Sequence, residues 1–300
     1  MDLFKENEKI INFEVKNDEI GIKEFLDKQN LSSRLFRKLY KKKHIYVNGK
    51  FLRKGLKFGK GDIVSIYMED ETDNTIAEDF DISIVYEDFD LLILNKQPNM
   101  VVHLTKSHQE NTLSNGISSY FKKNNIKRKI RFVNRLDMDT TGLLIVAKNP
   151  FAHQQMALQF EGEEVEKKYL AIVSGVIEKD EAYIDLPIGR EEEKSIRKMV
   201  TKDGQESLSK YIVKERYKNN TLADVQIFTG RSHQIRVHLS HIGHPIVGDS
   251  LYGEESDLIP RQALHSYYLK IKQPRTREEI EVIAPLPKDM EYLIKQIGNK

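Results

Sequence analysis

The stretch Ile130-Arg-Phe-Val-Asn-Arg-Leu-Asp-Met-Asp-Thr-Thr-Gly-Leu-Leu-Ile-Val-Ala-Lys148 holds two apolar runs, Ile130 to Val133 and Leu143 to Ala147, on either side of a polar segment. The pattern predicts strand, loop, strand. The loop carries Arg135, Asp137 and Asp139, then Thr140-Thr141-Gly142, and loops held by rigid strands are where reactive groups tend to sit. From these residues alone two readings stay open. Asp137 and Asp139 are turn formers bonded to their own backbone, or one of them is a carboxylate held still for chemistry.

Working outward, strand-like runs follow residue 81 at Ile82 to Tyr86, Leu91 to Leu94, Tyr169 to Val176, Leu208 to Val213, Leu222 to Phe228, Ala263 to Ile271 and Ile280 to Ile283. Helical patterns interrupt them near residues 112–122, 150–160, 232–241 and 288–297. Strands outnumber helices without strict alternation, which predicts an α+β domain with a mainly antiparallel, mixed sheet.

Arg135-Leu-Asp-Met-Asp-Thr-Thr-Gly-Leu-Leu-Ile-Val-Ala-Lys148 resembles the catalytic motif of the RluA-type RNA pseudouridine synthases. The resemblance continues, in order, through Leu94-Asn-Lys-Gln-Pro-Asn-Met-Val-Val-His103, Lys167-Lys-Tyr-Leu-Ala-Ile-Val-Ser-Gly175 and Thr229-Gly-Arg-Ser-His-Gln-Ile-Arg-Val-His-Leu-Ser-His-Ile-Gly-His-Pro-Ile-Val-Gly-Asp249. It implies the pseudouridine synthase fold and a cofactor-free isomerisation of uridine to pseudouridine. In that reaction the bond from sugar C1′ to base N1 breaks and base C5 joins C1′. Asp137 would be the catalytic carboxylate. Such a group must stay charged while partly desolvated, which requires a cation, and the resemblance assigns that part to Arg231. Tyr169 would lie beside the base, with Leu136 and Ile235 as apolar walls. Arg135 would contact phosphate or occupy the space vacated when the target nucleotide leaves its stack, and Lys96 would hold phosphate or merely end a strand.

The chain departs from the family pattern at a few positions. Asn134 stands where histidine is usual, which removes a proton carrier but keeps a hydrogen-bonding group. Thr141 replaces a serine, and Asn99 replaces a glycine; asparagine is the next best residue for a positive φ.

Composition narrows the chemistry. None of the 300 residues is cysteine, so disulfides, thiolate zinc sites and attack on uracil by a thiolate are excluded. The histidines at 233, 238, 241 and 244 do not form His-Glu-x-x-His and would scatter around a helix, so no metal site is expected. The pair Asp137 and Asp139 also fits a metal-dependent sugar transferase, a reading that leaves the Thr-Gly-Arg block without a task. A third reading is an inactive ribosome-assembly factor, against which Asp137, Tyr169 and Arg231 all stand. No apolar run has the length of a signal peptide or a membrane span, and the expectation is a cytoplasmic monomer.

The net charge of +2 hides an uneven distribution, basic over residues 34–60 and acidic from Glu69 to Asp90. Leu31-Ser-Ser-Arg opens a helix whose apolar stripe is Leu35, Phe36, Leu39 and Tyr40 and whose outer face is Arg34, Arg37, Lys38, Lys41 and Lys42. A merely solvated helix usually mixes its charges, so an all-basic face predicts a polyanionic partner. With Val47-Asn-Gly49 and Gly61-Asp-Ile-Val64 it resembles the alpha-L RNA-binding domain. That implies a small α+β RNA-binding domain over residues 1–75, ending in an acidic linker, before a catalytic domain over 76–300. The implied partner is structured RNA, with large-subunit ribosomal RNA the expected substrate.

Overall fold

A computed structural model describes residues 5–16, 20–105, 108–192 and 195–299. The N-terminal portion comprises β1 (Ile10–Glu14), α1 (Ile22–Lys28), α2 (Ser33–Lys41), β2 (Ile45–Val47), β3 (Lys50–Phe51) and β4 (Ile63–Tyr67). Its strands form an antiparallel sheet in the order β1-β4-β2-β3. Ser32 caps α2, its hydroxyl accepting from the Leu35 amide at 3.3 Å. Asn48 (φ 49°) and Gly49 (φ 75°) both take the left-handed conformation that a tight two-residue hairpin demands.

The larger portion begins with β5 (Ile84–Glu87), β6 (Leu91–Lys96), α3 (Leu113–Lys123), β7 (Arg131–Phe132), β8 (Thr141–Ala147) and α4 (Pro150–Glu161). It continues through β9 (Glu166–Ser174), β10 (Glu181–Asp185), β11 (Ile188–Arg190), β12 (Lys198–Val200), β13 (Leu208–Arg216) and β14 (Asn220–Ile227). It ends with α5 (Gln234–His241), β15 (Leu264–Lys272), β16 (Glu279–Ile283) and α6 (Lys288–Gly298). Ten strands form one sheet, in the order β10-β13-β14-β9-β15-β8-β6-β5, with β16 beside β15 and β7 beside β8. Among the described residues only the short β15–β8 pairing is parallel, so the sheet is mixed and mostly antiparallel as the pattern predicts.

Alternation within β6 and β8 explains their unbroken apolar sequences. Leu92, Leu94, Leu144 and Val146 enter one core together with residues of α3 and α6, while Leu91, Ile93, Leu143 and Ile145 enter another with Ala152 and Met156 of α4. A strand covered on both faces has no polar side to show. Where β8 meets β15, a Cβ on Gly142 (φ 110°) would lie 2.1 Å from the Ser266 carbonyl, so only glycine allows the approach.

The acidic segment after Met68 forms neither helix nor strand up to Ile82, yet it is not a free tether. Glu71 pairs with Arg131 at 2.6 Å, the Asp73 carboxylate accepts from the Thr75 and Ile130 amides, and the Ile76 carbonyl accepts from the buried Asn115 side chain. Phe80 packs so close to α3 that a Cβ on Gly116 would meet its ring at 2.4 Å. The two portions also share a core, because Phe151 of α4 packs edge-on against Phe13 within the N-terminal cluster. Arg275, clasped by Asp90, donates onward to the Asn7 and Ile10 carbonyls.

Candidate active site

Asp137 lies in the loop from β7 to β8, and that loop is gripped from beneath. Lys96, at the end of β6, is buried and donates to the carbonyls of Gln97, Met100 and Met138 at 2.9, 3.1 and 2.6 Å. Arg261 donates to the Asp139 carbonyl at 3.1 Å while bound by Asp289 through two nitrogens. Asn134 bridges to the next strand: its Oδ1 accepts from the Ile145 amide at 2.8 Å and its Nδ2 donates to the Leu143 carbonyl. Asn99 has φ 53°, the conformation for which a glycine would serve. Thr141 reaches His265 Nδ1 at 2.9 Å. Burial draws the Lys96 ammonium down to about 7, with Asp139 and Asp137 acting against it. Three carbonyl acceptors also favour the charged form.

This placement corrects the expectation that Lys96 contacts phosphate. Its ammonium points into the protein and its donors are already used. The lysine steadies the loop instead.

The cation beside Asp137 is also not the expected one. Arg231 is exposed, and its Nε donates to the Glu206 carbonyl at 3.0 Å. Arg236, in the first turn of α5, places Nη1 3.0 Å from Asp137 Oδ2. Its Nε and Nη2 engage the two oxygens of buried Asp249 at 2.7 and 2.8 Å. Burial acts to lower the Arg236 pKa, but Asp249 and Asp137 push it above the ordinary arginine value. The reason lies in packing: α5 is buried from Gln234 to Leu239, so the arginine inside it must find carboxylates there. Tyr252 lies under the guanidinium, 5.0 Å from ring to charge, and hydrogen-bonds His233 Nδ1 at 2.8 Å. The other ring nitrogen of His233 is 3.9 Å from Asp137 Oδ1. Burial holds this imidazole below its usual value; Asp137 opposes that effect and Arg236 adds to it.

Asp137 opens onto a cavity of about 740 Å³. Tyr169 and Lys167 come to it from β9, Thr229 to His233 from the turn before α5, and Arg135 from the rim. Leu136 and Ile235, both nearly buried, line a smaller recess beside Asp137 with Tyr169 and Arg231. Tyr169 is itself buried; burial pushes its phenol up to about 12, a hydrogen bond with Ser266 acts the other way, and Asp137 adds to the rise. Arg135 is exposed and donates to the Ser232 hydroxyl at 2.8 Å. The turn Thr229-Gly-Arg231 is organised by Gln234, whose Oε1 accepts from the Thr229 hydroxyl and the Arg231 amide.

A family model described as RNA pseudouridylate synthase matches residues 90–241, the span that carries Asp137, Tyr169 and Arg236. The chain belongs to the RNA pseudouridylate synthase family. The family's similar proteins include the uncharacterized RNA pseudouridine synthase YlyB of Bacillus subtilis, 40% identical, covering 84% of this chain and 85% of the relative. Ribosomal large subunit pseudouridine synthase D of Pseudomonas aeruginosa is 37% identical, covering 73% of this chain and 72% of the relative. Among solved structures, Human RNA Pseudouridylate Synthase Domain Containing 1 superposes with a TM-score of 0.58 at 29% identity, covering 72% of this chain and 94% of that one.

For this family member, the structure brings the sequence candidates Asp137, Tyr169, Arg135, Leu136, Arg231 and Ile235 together at the smaller recess beside Asp137, all but Ile235 also lining the cavity. Sequence reasoning missed Arg236, His233 as a neighbour of Asp137, Asp249, Tyr252 and Lys167. One signal was available for Lys167, because in an alternating strand it shares a face with Tyr169. Among the described residues no cluster of three or more histidine, cysteine, aspartate or glutamate side chains could hold a metal. His238 lies in the core on Ser209 and the Leu186 carbonyl. No helix of the described residues is long and apolar enough to cross a membrane.

Proposed function

We propose that this chain isomerises uridine to pseudouridine in structured RNA, with large-subunit ribosomal RNA as its substrate, Asp137 as the reacting carboxylate and no cofactor. The observation that carries the reading is Asp137 itself, partly exposed at the wall of the cavity and held 3.0 Å from the buried Arg236. A carboxylate so placed and oriented is set to attack C1′ or to assist loss of the 2′ proton. The N1–C1′ bond breaks, the base turns within the cavity, C5 bonds to C1′ and displaces any bond the carboxylate has made there, and C5 gives up a proton while N1 takes one, directly or through solvent. Nothing is added or lost.

The remaining groups have parts that suit them. Tyr169 stays a neutral phenol near pH 7 and offers its ring to the uracil. Leu136 and Ile235 give the detached base an apolar wall, so it is not lost to water. Arg135 and Arg231, exposed at the rim, meet the RNA backbone around a nucleotide flipped out of its stack. The basic face of α2 adds phosphate contacts that set affinity and orientation without reading sequence. The substrate class rests on the ribosomal relatives and on that face. The protein would then act as a monomer in the cytoplasm, where ribosomal RNA is made.

The test is a map of pseudouridine in ribosomal RNA from cells with and without the protein. One or more large-subunit sites should vanish on deletion and return with the wild-type chain but not with Asp137→Asn. An unchanged map in ribosomal and transfer RNA would overturn the reading.

A further inference from the structure

Among the described residues, three lysines of the catalytic portion are buried, and they differ in their partners: Lys148 pairs with Glu87 at 2.9 Å. Lys96 gives its protons to three carbonyls. Lys167 is 8% exposed, sits with its ammonium 4.8 Å over the Phe160 ring, and among the described residues has no carboxylate within ion-pairing distance and no hydrogen-bond acceptor. A lysine is seldom buried unless paired, and this one is held largely within the protein, at the cavity wall, with no protein anion beside it. The side chain lines the cavity that holds Asp137. The missing anion therefore belongs to what enters that cavity.

The strand fixes where that anion must lie. Lys167 and Tyr169 are two residues apart in β9, point to the same face, and are separated by about 7 Å along the strand. That separation suits the reach from a nucleotide's base to its own phosphates. If the uracil lies against Tyr169, as the proposed function requires, a flanking phosphate falls near Lys167. We propose that Lys167 holds the RNA phosphate adjoining the target nucleotide, so that one strand of the sheet grips both ends of that nucleotide. The inference rests on the isomerase reading for its substrate, but the lysine's lack of an anion does not.

Proton affinity supports the geometry. Burial alone draws the Lys167 ammonium down to about 8. The other charged groups at the cavity are the carboxylates Asp137, Glu161 and Glu163, the guanidinium groups of Arg135 and Arg231, and the imidazoles His103 and His233. Burial holds both imidazoles below the usual histidine value, with Arg135 adding to the shift of His103, so they are neutral well before Lys167 gives up its proton. The neighbouring strand β15 presents Leu269 opposite Lys167, and Ile227 of β14 lines the same cavity, neither of them charged.

The experiment measures binding and turnover side by side on a stem-loop containing a mapped target uridine. The RNA is made native or with a single uncharged methylphosphonate on the 5′ or the 3′ side of that uridine, and the proteins are wild type, Lys167→Met and Lys167→Arg. Methionine keeps the apolar stem against Phe160, and a thermal melt checks its folding. Lys167→Met should bind native RNA about tenfold or more weakly, with a slope of log affinity against log salt reduced by about one. One of the two methylphosphonates should weaken the wild type by the same factor and leave Lys167→Met unchanged. From pH 7 to 9.5 the wild type should lose affinity as its ammonium deprotonates, while Lys167→Arg should not; titrations common to both proteins, Lys96 included, cancel in the comparison. If the wild type tolerates both methylphosphonates, or if the two losses add, the phosphate assignment is wrong. Unchanged binding with reduced turnover in Lys167→Met would move the lysine to the base and equally overturn it. A wild type that binds but forms no pseudouridine would sink the isomerase reading, a separate outcome.

Discussion

Arg236 stands between two carboxylates, with Nη1 3.0 Å from Asp137 and its other nitrogens on Asp249, whose side chain is fully buried. One cation thus serves a reactive carboxylate that faces the cavity and a structural one that does not. Asp249 fixes the guanidinium, also receiving the Leu251 and Tyr252 amides, and the fixed guanidinium fixes Asp137.

Replacing Asp137 by asparagine should abolish isomerisation while leaving RNA affinity close to the wild type, since the amide keeps the shape but is neither nucleophile nor base. Asp139→Asn should be mild. Tritium release from uridine labelled at C5 reads both, and substantial turnover by the Asp137 variant would remove the carboxylate from the mechanism.

The two arginines of the Thr-Gly-Arg block should behave differently. Arg236→Met strands the buried Asp249 charge and should cost about 3–5 kcal/mol of stability together with activity. Arg231→Ala, at an exposed site, should change stability by about 0.5 kcal/mol or less. Adding Asp249→Asn to Arg236→Met should recover much of the melting temperature but not the turnover. Recovery of both would mean that Asp137 needs no cation.

The basic face of α2 is best tested by substitution. A fragment starting near residue 76 would uncover Phe151, which is 1% exposed and belongs to the N-terminal core, so a loss on truncation would mix stability with binding. Lys42 already pairs with Glu69, leaving Arg34, Arg37, Lys38 and Lys41 for phosphate. Alanine at those positions should reduce the slope of log affinity against log salt by about three to four if each meets one phosphate. No change of slope would make the face a solvated surface.

Stability should fall in mild acid. Burial depresses His265 to about 4, against an ordinary 6.5, where it meets Thr141 at the parallel junction of β8 and β15. A depressed folded pKa means that the unfolded chain binds the extra proton. The contribution is therefore whole above pH 6.5 and is lost as pH drops towards 4, amounting to about 3 kcal/mol over that window. Urea midpoints at pH 7 and pH 4.5 should lie further apart for wild type than for His265→Gln. Equal shifts in the two proteins would assign the acid sensitivity to other groups, such as His238.

Much of this could be read from the chain alone, because it depends on near neighbours. The alternation of β9 put Tyr169 on a buried face, the apolar run of β8 marked a strand, and Asn48-Gly49 specified its hairpin. Charge spacing on α2 showed which side faces solvent. The family blocks placed Asp137 on a loop between strands. What the sequence left undecided were partnerships across long separations. Arg231 and Arg236 stand five residues apart in one block, and only the packing of α5 against the Asp249 turn decides which reaches a carboxylate about a hundred residues earlier. Lys96 looked like a phosphate ligand until the loop carrying Met138 folded over it. The acidic segment looked like a tether because its anchors, Arg131, Asn115 and the α3 groove at Gly116, lie in a different part of the chain. Local periodicity fixes which face of an element is buried; which charges meet there is set when elements from distant sequence pack, since a buried charge must take whatever counter-charge the fold brings to it.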